Sequence, residues 1–145
     1  RHTYRELKSC FAIFGLKNKL NMLSTSRKSI SNIEAFDFIL SEMEQIARMY
    51  MSSAIDTESN LTSKVFANIA TSLDISTDNY VTKFNLIDES LVKRRNKVAH
   101  GEYLELDGKE FGDLVDEILW LMRTYKTDLQ NAASMESYKR PVPAE

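Results

Sequence analysis

No proline interrupts the chain until Pro141 and Pro143, and only four glycines occur among its 145 residues. Proline breaks a helix by removing a hydrogen bond and clashing with the preceding turn, so its absence leaves the chain free to form long helices. The apolar residues follow that freedom. Tyr4, Leu7, Phe11 and Phe14, then Leu16, Leu20 and Leu23, fall at helical spacing and predict a helix over residues 3–24. Ser31 with Glu34 forms a capping-box pattern for a second helix, whose apolar positions from Ile33 through Phe36, Leu40 and Met43 to Tyr50 carry it to about residue 55. Asn60 or Thr62 caps a shorter helix with Leu61, Val65, Phe66, Ile69 and Leu73. A third long helix over residues 79–99 buries Val81, Phe84, Ile87, Leu91, Val92 and Val98, and ends at Gly101 in the left-handed C′ position. After a tight turn at Asp107-Gly108, the last helix carries Phe111, Leu114, Ile118, Met122, Tyr125 and Leu129. The expected fold is all-α, a bundle of about four long helices plus one short helix. Residues 1–134 read as a single domain and residues 135–145 as a flexible tail.

Bulk properties remove several function classes. A formal charge of −2 gives no general attraction to nucleic acid, so any RNA contact must come from a local patch. No apolar run reaches the roughly 18 residues of a membrane span, and no signal peptide is recognisable, so a cytoplasmic protein without membrane contact is expected. The chain starts without Met, as a trimmed one does. Cys10, the one cysteine, rules out an internal disulfide and lies beside an apolar face, where a packed thiol is expected. Met43, Met49 and Met51 read as packing, and Glu34 and Glu44 as solvated surface. Residues 102–117 hold seven acids against Lys109 alone, with Asp113, Asp116 and Glu117 at helical spacing. Acids in a first helical turn follow from the helix dipole, so neither a metal nor a cofactor is expected.

The chemistry concentrates in Leu91-Val92-Lys93-Arg94-Arg95-Asn96-Lys97-Val98-Ala99-His100-Gly101, which places four cations in five residues before a histidine. A guanidinium, a carboxamide and an imidazole this close share one use: holding a phosphate and moving protons beside it. A plainer explanation is a helix end whose cations complement the dipole, with Arg95 paired to Glu102 or Glu105. The string Arg95-Asn96-x-x-Ala99-His100-Gly101, preceded by Leu91-Val92, resembles the signature of the HEPN superfamily, in its RiboL-PSP-like branch. Many members of that superfamily are metal-independent ribonucleases. The resemblance implies a HEPN-like bundle in which Arg95, Asn96 and His100 are catalytic, cutting RNA to leave 2′,3′-cyclic phosphate and 5′-hydroxyl ends. It also implies a toxin-like or anti-phage defence role and an antitoxin or associated defence protein as partner. Tyr103 stands three positions after His100, whereas the tyrosine modified in some related toxins stands two positions after, so that regulation is not carried over.

Geometry shapes the expected mechanism. At about 100° per residue, Arg95 and His100 diverge by about 140° on one straight helix. Either the backbone unwinds at Ala99-His100-Gly101, or a two-fold dimer sets two helix ends face to face. Metal-free RNA cleavage needs a base, an acid and a cation, and one protomer offers one suitable histidine, because His2 sits at the chain end. A homodimer is therefore expected. His100 then transfers protons, Arg95 holds the scissile phosphate, Asn96 orients the imidazole or the 2′-hydroxyl, and Lys93, Arg94 and Lys97 bind flanking phosphates. The alternative is a non-catalytic HEPN module for dimerisation or RNA binding within a larger defence or signalling system.

Overall fold

The computed structural model describes residues 1–24, 29–48, 55, 58, 60–103, 105 and 107–141, with the side chains of residues 18, 19 and 22–24 left aside. The fold is all-α. Among the described residues, five α-helices run in order, α1 (Ser9–Ser24), α2 (Ser29–Glu42), α3 (Ser63–Ser72), α4 (Arg94–Ala99) and α5 (Gly108–Ser134), with helical segments of other pitch between and before them. The chain gathers into two compact units, Arg1–Ile55 with Glu136–Glu145, and Asp56–Met135.

In the first unit the N-terminal residues do not extend α1 as their spacing predicts. Tyr4–Glu6 form a single 3₁₀ turn and Leu7 is extended, so α1 starts at Ser9. The reason is backbone pairing with residues 43–48. Tyr4 N–H donates to the Gln45 carbonyl at 3.1 Å, Arg5 N–H to Met43 at 2.9 Å, and Ala47 N–H to His2 at 2.8 Å. The same pairing ends α2 at Glu42, well short of residue 55; the expected helical positions from Met49 to Ala54 lie outside the described residues. Ile33, Phe36 and Leu40, expected in the core, stand exposed on α2, while Phe38 and Met43 pack against Tyr4, Leu7, Ala12 and Leu16. Residues 138–140, expected in a loose tail, are tied in. Lys8 N–H donates to the Tyr138 carbonyl at 2.9 Å, Arg140 N–H to Glu6 at 2.8 Å, and Arg140 Nε to the Leu7 carbonyl at 2.6 Å. Residues 142–145 lie outside the described residues.

Gly15 explains itself here. The Tyr4 hydroxyl donates to the Arg48 carbonyl and accepts from the Arg48 N–H, both at 3.0 Å, and this pair lies directly against α1. A Cβ at Gly15 would sit 2.2 Å from the Tyr4 hydroxyl and 2.4 Å from the Arg48 carbonyl oxygen.

The second unit is built on interlocked aromatic rings. Phe66 of α3 packs edge-on against Tyr80 and Tyr125, each with ring centroids at 5.2 Å, and Ala70, Ile87 and Leu121 close around them. Thr62 rather than Asn60 caps α3, its hydroxyl accepting the Val65 N–H at 3.3 Å. The stretch expected as one helix over residues 79–99 changes pitch along its length: Asp78–Lys83 is 3₁₀, Leu86–Lys93 is π-helical, and α4 follows it. Core geometry accounts for the π-helical part. Ile87 is buried and Val92 packs on the same cluster, yet five residues on an α-helix diverge by about 140°. A π-helix, closing its bonds five residues apart, returns both to one side. In α5 the line packed into the core is Leu121, Tyr125, Leu129 and Ala132, whereas Phe111 and Met122 of the expected stripe are exposed. Asp107 and Gly108 form the N-cap and first residue of α5 rather than a separate turn, with the Asp107 carboxylate accepting the Glu110 N–H at 2.7 Å.

Two predictions follow from these contacts. Glycine inside a helix normally costs about 0.5–1 kcal/mol relative to alanine. Gly15→Ala should nevertheless lower the urea midpoint, by an overpacking cost of about 1–3 kcal/mol. The second concerns Tyr80, whose buried hydroxyl donates to Asp128. Burial, then the Asp128 carboxylate, raises its ionisation well above the ordinary tyrosine value of 10.0. The neutral phenol is favoured in the fold, so stability is intact below pH 10 and declines as the unfolded tyrosine ionises above it. The denaturant midpoint should be lower at about pH 11 than at about pH 8, and the difference should be smaller for Tyr80→Phe.

Candidate functional site

The cationic stretch is anchored from its N-terminal side by Asp88, in the π-helical segment. One oxygen of its carboxylate accepts the Ser63 N–H at 2.7 Å and the other accepts the Ser63 hydroxyl at 2.6 Å. A carboxylate on the first residues of α3 satisfies donors that no helical carbonyl can reach, and it suits the positive end of the dipole. The bond also fixes residues 60–63 alongside the segment that leads into α4.

That placement gives Arg95 its partner. Its Nη1 donates to Asn60 Oδ1 at 2.7 Å and to Asn96 Oδ1 at 3.0 Å. Neither Glu102 nor Glu105, the acids considered from sequence, takes this position. A guanidinium has five donors in a planar fork, and two of them, both on Nη1, are engaged. Among the described residues, Nε and Nη2 have no protein partner. These form the side-on edge of the fork, whose two parallel N–H bonds match two oxygens of a phosphate or carboxylate. Asn96 thus holds Arg95 rather than the imidazole. The contribution of Asn60 was not recognised from sequence, where it served only as a candidate helix cap; a carboxamide 35 positions away carries no local signal.

His100 closes α4. Its N–H bonds to the Asn96 carbonyl at 2.9 Å, Gly101 N–H to Val98 at 3.1 Å, and Glu102 N–H to Lys97 at 2.9 Å. With Gly101 at φ +71°, this is a Schellman close, and it places Gly101 in the expected left-handed position. The helix does not unwind before His100, so the first of the two expected remedies is absent. By helix geometry, positions 95 and 100 lie about 140° apart around α4, and His100, its C-cap, has an exposed imidazole without a partner among the described residues.

The other cations differ in their surroundings. Lys93 pairs with Glu89 one turn earlier on the same segment. Arg94 lies 4.0 Å from Glu110 and lines a trough of about 460 Å³ with Glu89, Asp113 and Glu117. Lys83 pairs with Glu117 at 3.2 Å and covers the Trp120 ring at 5.3 Å. Lys97 is exposed. The acids at the start of α5 therefore face the cationic segment and meet Lys83 and Arg94. Among the described residues, no three His, Cys, Asp or Glu side chains are grouped as metal ligands. On the other side, Asn60, Leu61, Leu91, Val92 and Arg95 line a groove of about 290 Å³. His2 belongs to the first unit, 3.7 Å from Glu6 and stacked obliquely on Tyr138. No helix among the described residues is long and apolar enough to cross a membrane.

Asp88→Ala should release the first turn of α3 and lower stability by about 1–3 kcal/mol, read as a lower denaturant midpoint. Ser63→Ala removes one of the two bonds and should cost less.

A family model described as RiboL-PSP-HEPN matches residues 1–131. No curated protein and no solved structure matches the chain.

Proposed function

The chain belongs to the RiboL-PSP-HEPN family, and from that membership and the geometry of α4 we propose that it is a metal-independent endoribonuclease whose active cleft is shared by two copies. One observation carries the reading. Among the described residues, the Arg95 fork is held by two carboxamides through Nη1 alone, presenting its Nε and Nη2 edge at the surface. Neutral partners leave its full charge available to a phosphate, where a salt bridge to Glu102 or Glu105 would have consumed it.

In the proposed cleft, His100 of one copy takes the proton of a 2′-hydroxyl. The 2′-oxygen attacks phosphorus, the bond to the 5′-oxygen breaks, and His100 of the second copy protonates the leaving oxygen. The products are a 2′,3′-cyclic phosphate and a 5′-hydroxyl. No water or metal enters this balance. Arg95 stabilises the charge that builds on the phosphoryl oxygens. Asn96 acts as a positioning residue through Arg95. Two copies supply what one cannot, because Arg95 and His100 diverge along an intact α4 and each copy contributes one His100. Lys97 is the flanking cation best placed for a neighbouring phosphate; Lys93 and Arg94 serve only by exchanging Glu89 and Glu110 for RNA. The proposed biological setting is a toxin-like or defence role, with an antitoxin or associated defence protein as partner.

Purified protein incubated with total RNA in EDTA should release cyclic-phosphate ends. His100→Ala should reduce the rate by about 10²–10⁴-fold, as expected for loss of a general acid-base group. Arg95→Ala should reduce it by about 10²–10³-fold, with Arg95→Lys intermediate. Both variants should remain folded and dimeric by light scattering, because neither side chain belongs to the buried core. No cleavage by the wild-type protein, or equal cleavage by all variants, would remove the catalytic assignment and favour a binding module.

A further inference from the structure

The groove beside Arg95 has no role in bond breaking, and its lining is chemically uneven. Leu61, Leu91 and Val92 supply aliphatic walls, while Asn60 and Arg95 stand together as its polar members. Leu61 remains half exposed and Leu91 and Val92 partly so, which leaves an apolar surface open to solvent at the side of a cation. A pocket of apolar walls with a few convergent polar groups suits a flat ring that carries polar atoms on one edge.

Resting on the ribonuclease reading above, we infer that this groove is a nucleobase subsite, receiving an unstacked base of single-stranded RNA next to the phosphate held by Arg95. Asn60 joins the two functions. Its Oδ1 accepts from Arg95 at 2.7 Å, which assigns the carboxamide orientation and leaves the two Nδ2 hydrogens as donors. A base that presents a carbonyl oxygen or an unprotonated ring nitrogen meets those donors. Leu61, Leu91 and Val92 cover its faces. The geometry couples recognition to phosphate binding: a base in the groove meets the same carboxamide that fixes the Arg95 fork. Asp88 supports the subsite indirectly by holding Ser63, and with it residues 60–61, against the helical segment. The occupant is a base in a single strand, because a paired base is stacked on both faces and its polar edge is already engaged.

The test uses the full chain and two fluorescently labelled trinucleotides with 2′-O-methyl sugars, which cannot be cleaved through the 2′-oxygen. One carries three bases and the other is abasic throughout, so both present the same phosphates. Wild-type protein and His100→Ala should bind the first about tenfold more tightly than the second, the effect of removing about 55 Å² of apolar surface from water. Leu61→Ser, at a half-exposed position, should bring that ratio near one while leaving affinity for the abasic strand unchanged. Asn60→Ala should lower the ratio and also weaken abasic binding by loosening Arg95; Asn60→Gln should restore part of both. Equal binding of the two strands by the wild-type protein, or an unchanged ratio in Leu61→Ser, overturns the subsite. The outcomes separate from those of the nuclease assay. Base-dependent binding without cleavage in EDTA would retain the subsite and reject catalysis, and cleavage with equal binding of both strands would do the reverse.

Discussion

The Asp88 carboxylate, bound by the backbone and hydroxyl of Ser63, ties the start of α3 to the helical segment that leads into α4. It supports the first turn of α3 beside the Thr62 cap, and α3 carries Phe66 into the aromatic cluster with Tyr80 and Tyr125. It also sets the short segment before α3 beside the helical turns that lead to α4. Because Asn60 lies in that segment, a structural bond at one end of α3 places the carboxamide that orients Arg95. Stability and the proposed chemistry therefore share a support.

The π-helical segment has a related consequence. Had residues 79–99 formed one regular α-helix, Ile87 and Val92 could not both have faced the core. Widening the turn at Leu86–Lys93 brings them together and resets the phase of everything after Lys93. Asn60, Leu61, Leu91, Val92 and Arg95 consequently surround one groove, while Arg94 lines a separate trough with the acids of α5. Adjacent arginines thus have different surroundings, one charge matched by carboxylates and the other held by neutral amides. That difference matters more for phosphate binding than the number of cations in the sequence, since a cation already matched by carboxylates gives less net attraction to phosphate.

Much of this was legible from the residues. Helical spacing and the lack of proline gave an all-α fold, Thr62 was a candidate cap for α3, and Gly101 was expected in the left-handed position that closes α4. The string from Leu91 to Gly101 led to the HEPN superfamily, to which the match over residues 1–131 also leads. Other features depended on distant partners. Tyr4 and Leu7 keep helical spacing with Phe11 and Phe14, yet pairing with residues 43–48 and 138–140 draws residues 1–8 away from α1. The same competition ends α2 early. The π-helix left a faint trace, the step of five between Ile87 and Val92, masked by Leu91 at the ordinary step of four. Asn60 had no trace at all, because its relation to Arg95 exists only after α3 is capped.

Subunit exchange tests the shared cleft most directly. Wild-type protein would be mixed with folded His100→Ala protein, dissociated and reassociated at constant total concentration, and assayed for RNA cleavage in EDTA. If every cleft needs one His100 from each copy, activity follows the square of the wild-type fraction, and an equal mixture retains about one quarter of full activity. Activity in simple proportion to the wild-type fraction would contradict a shared cleft and place the whole reaction within one copy.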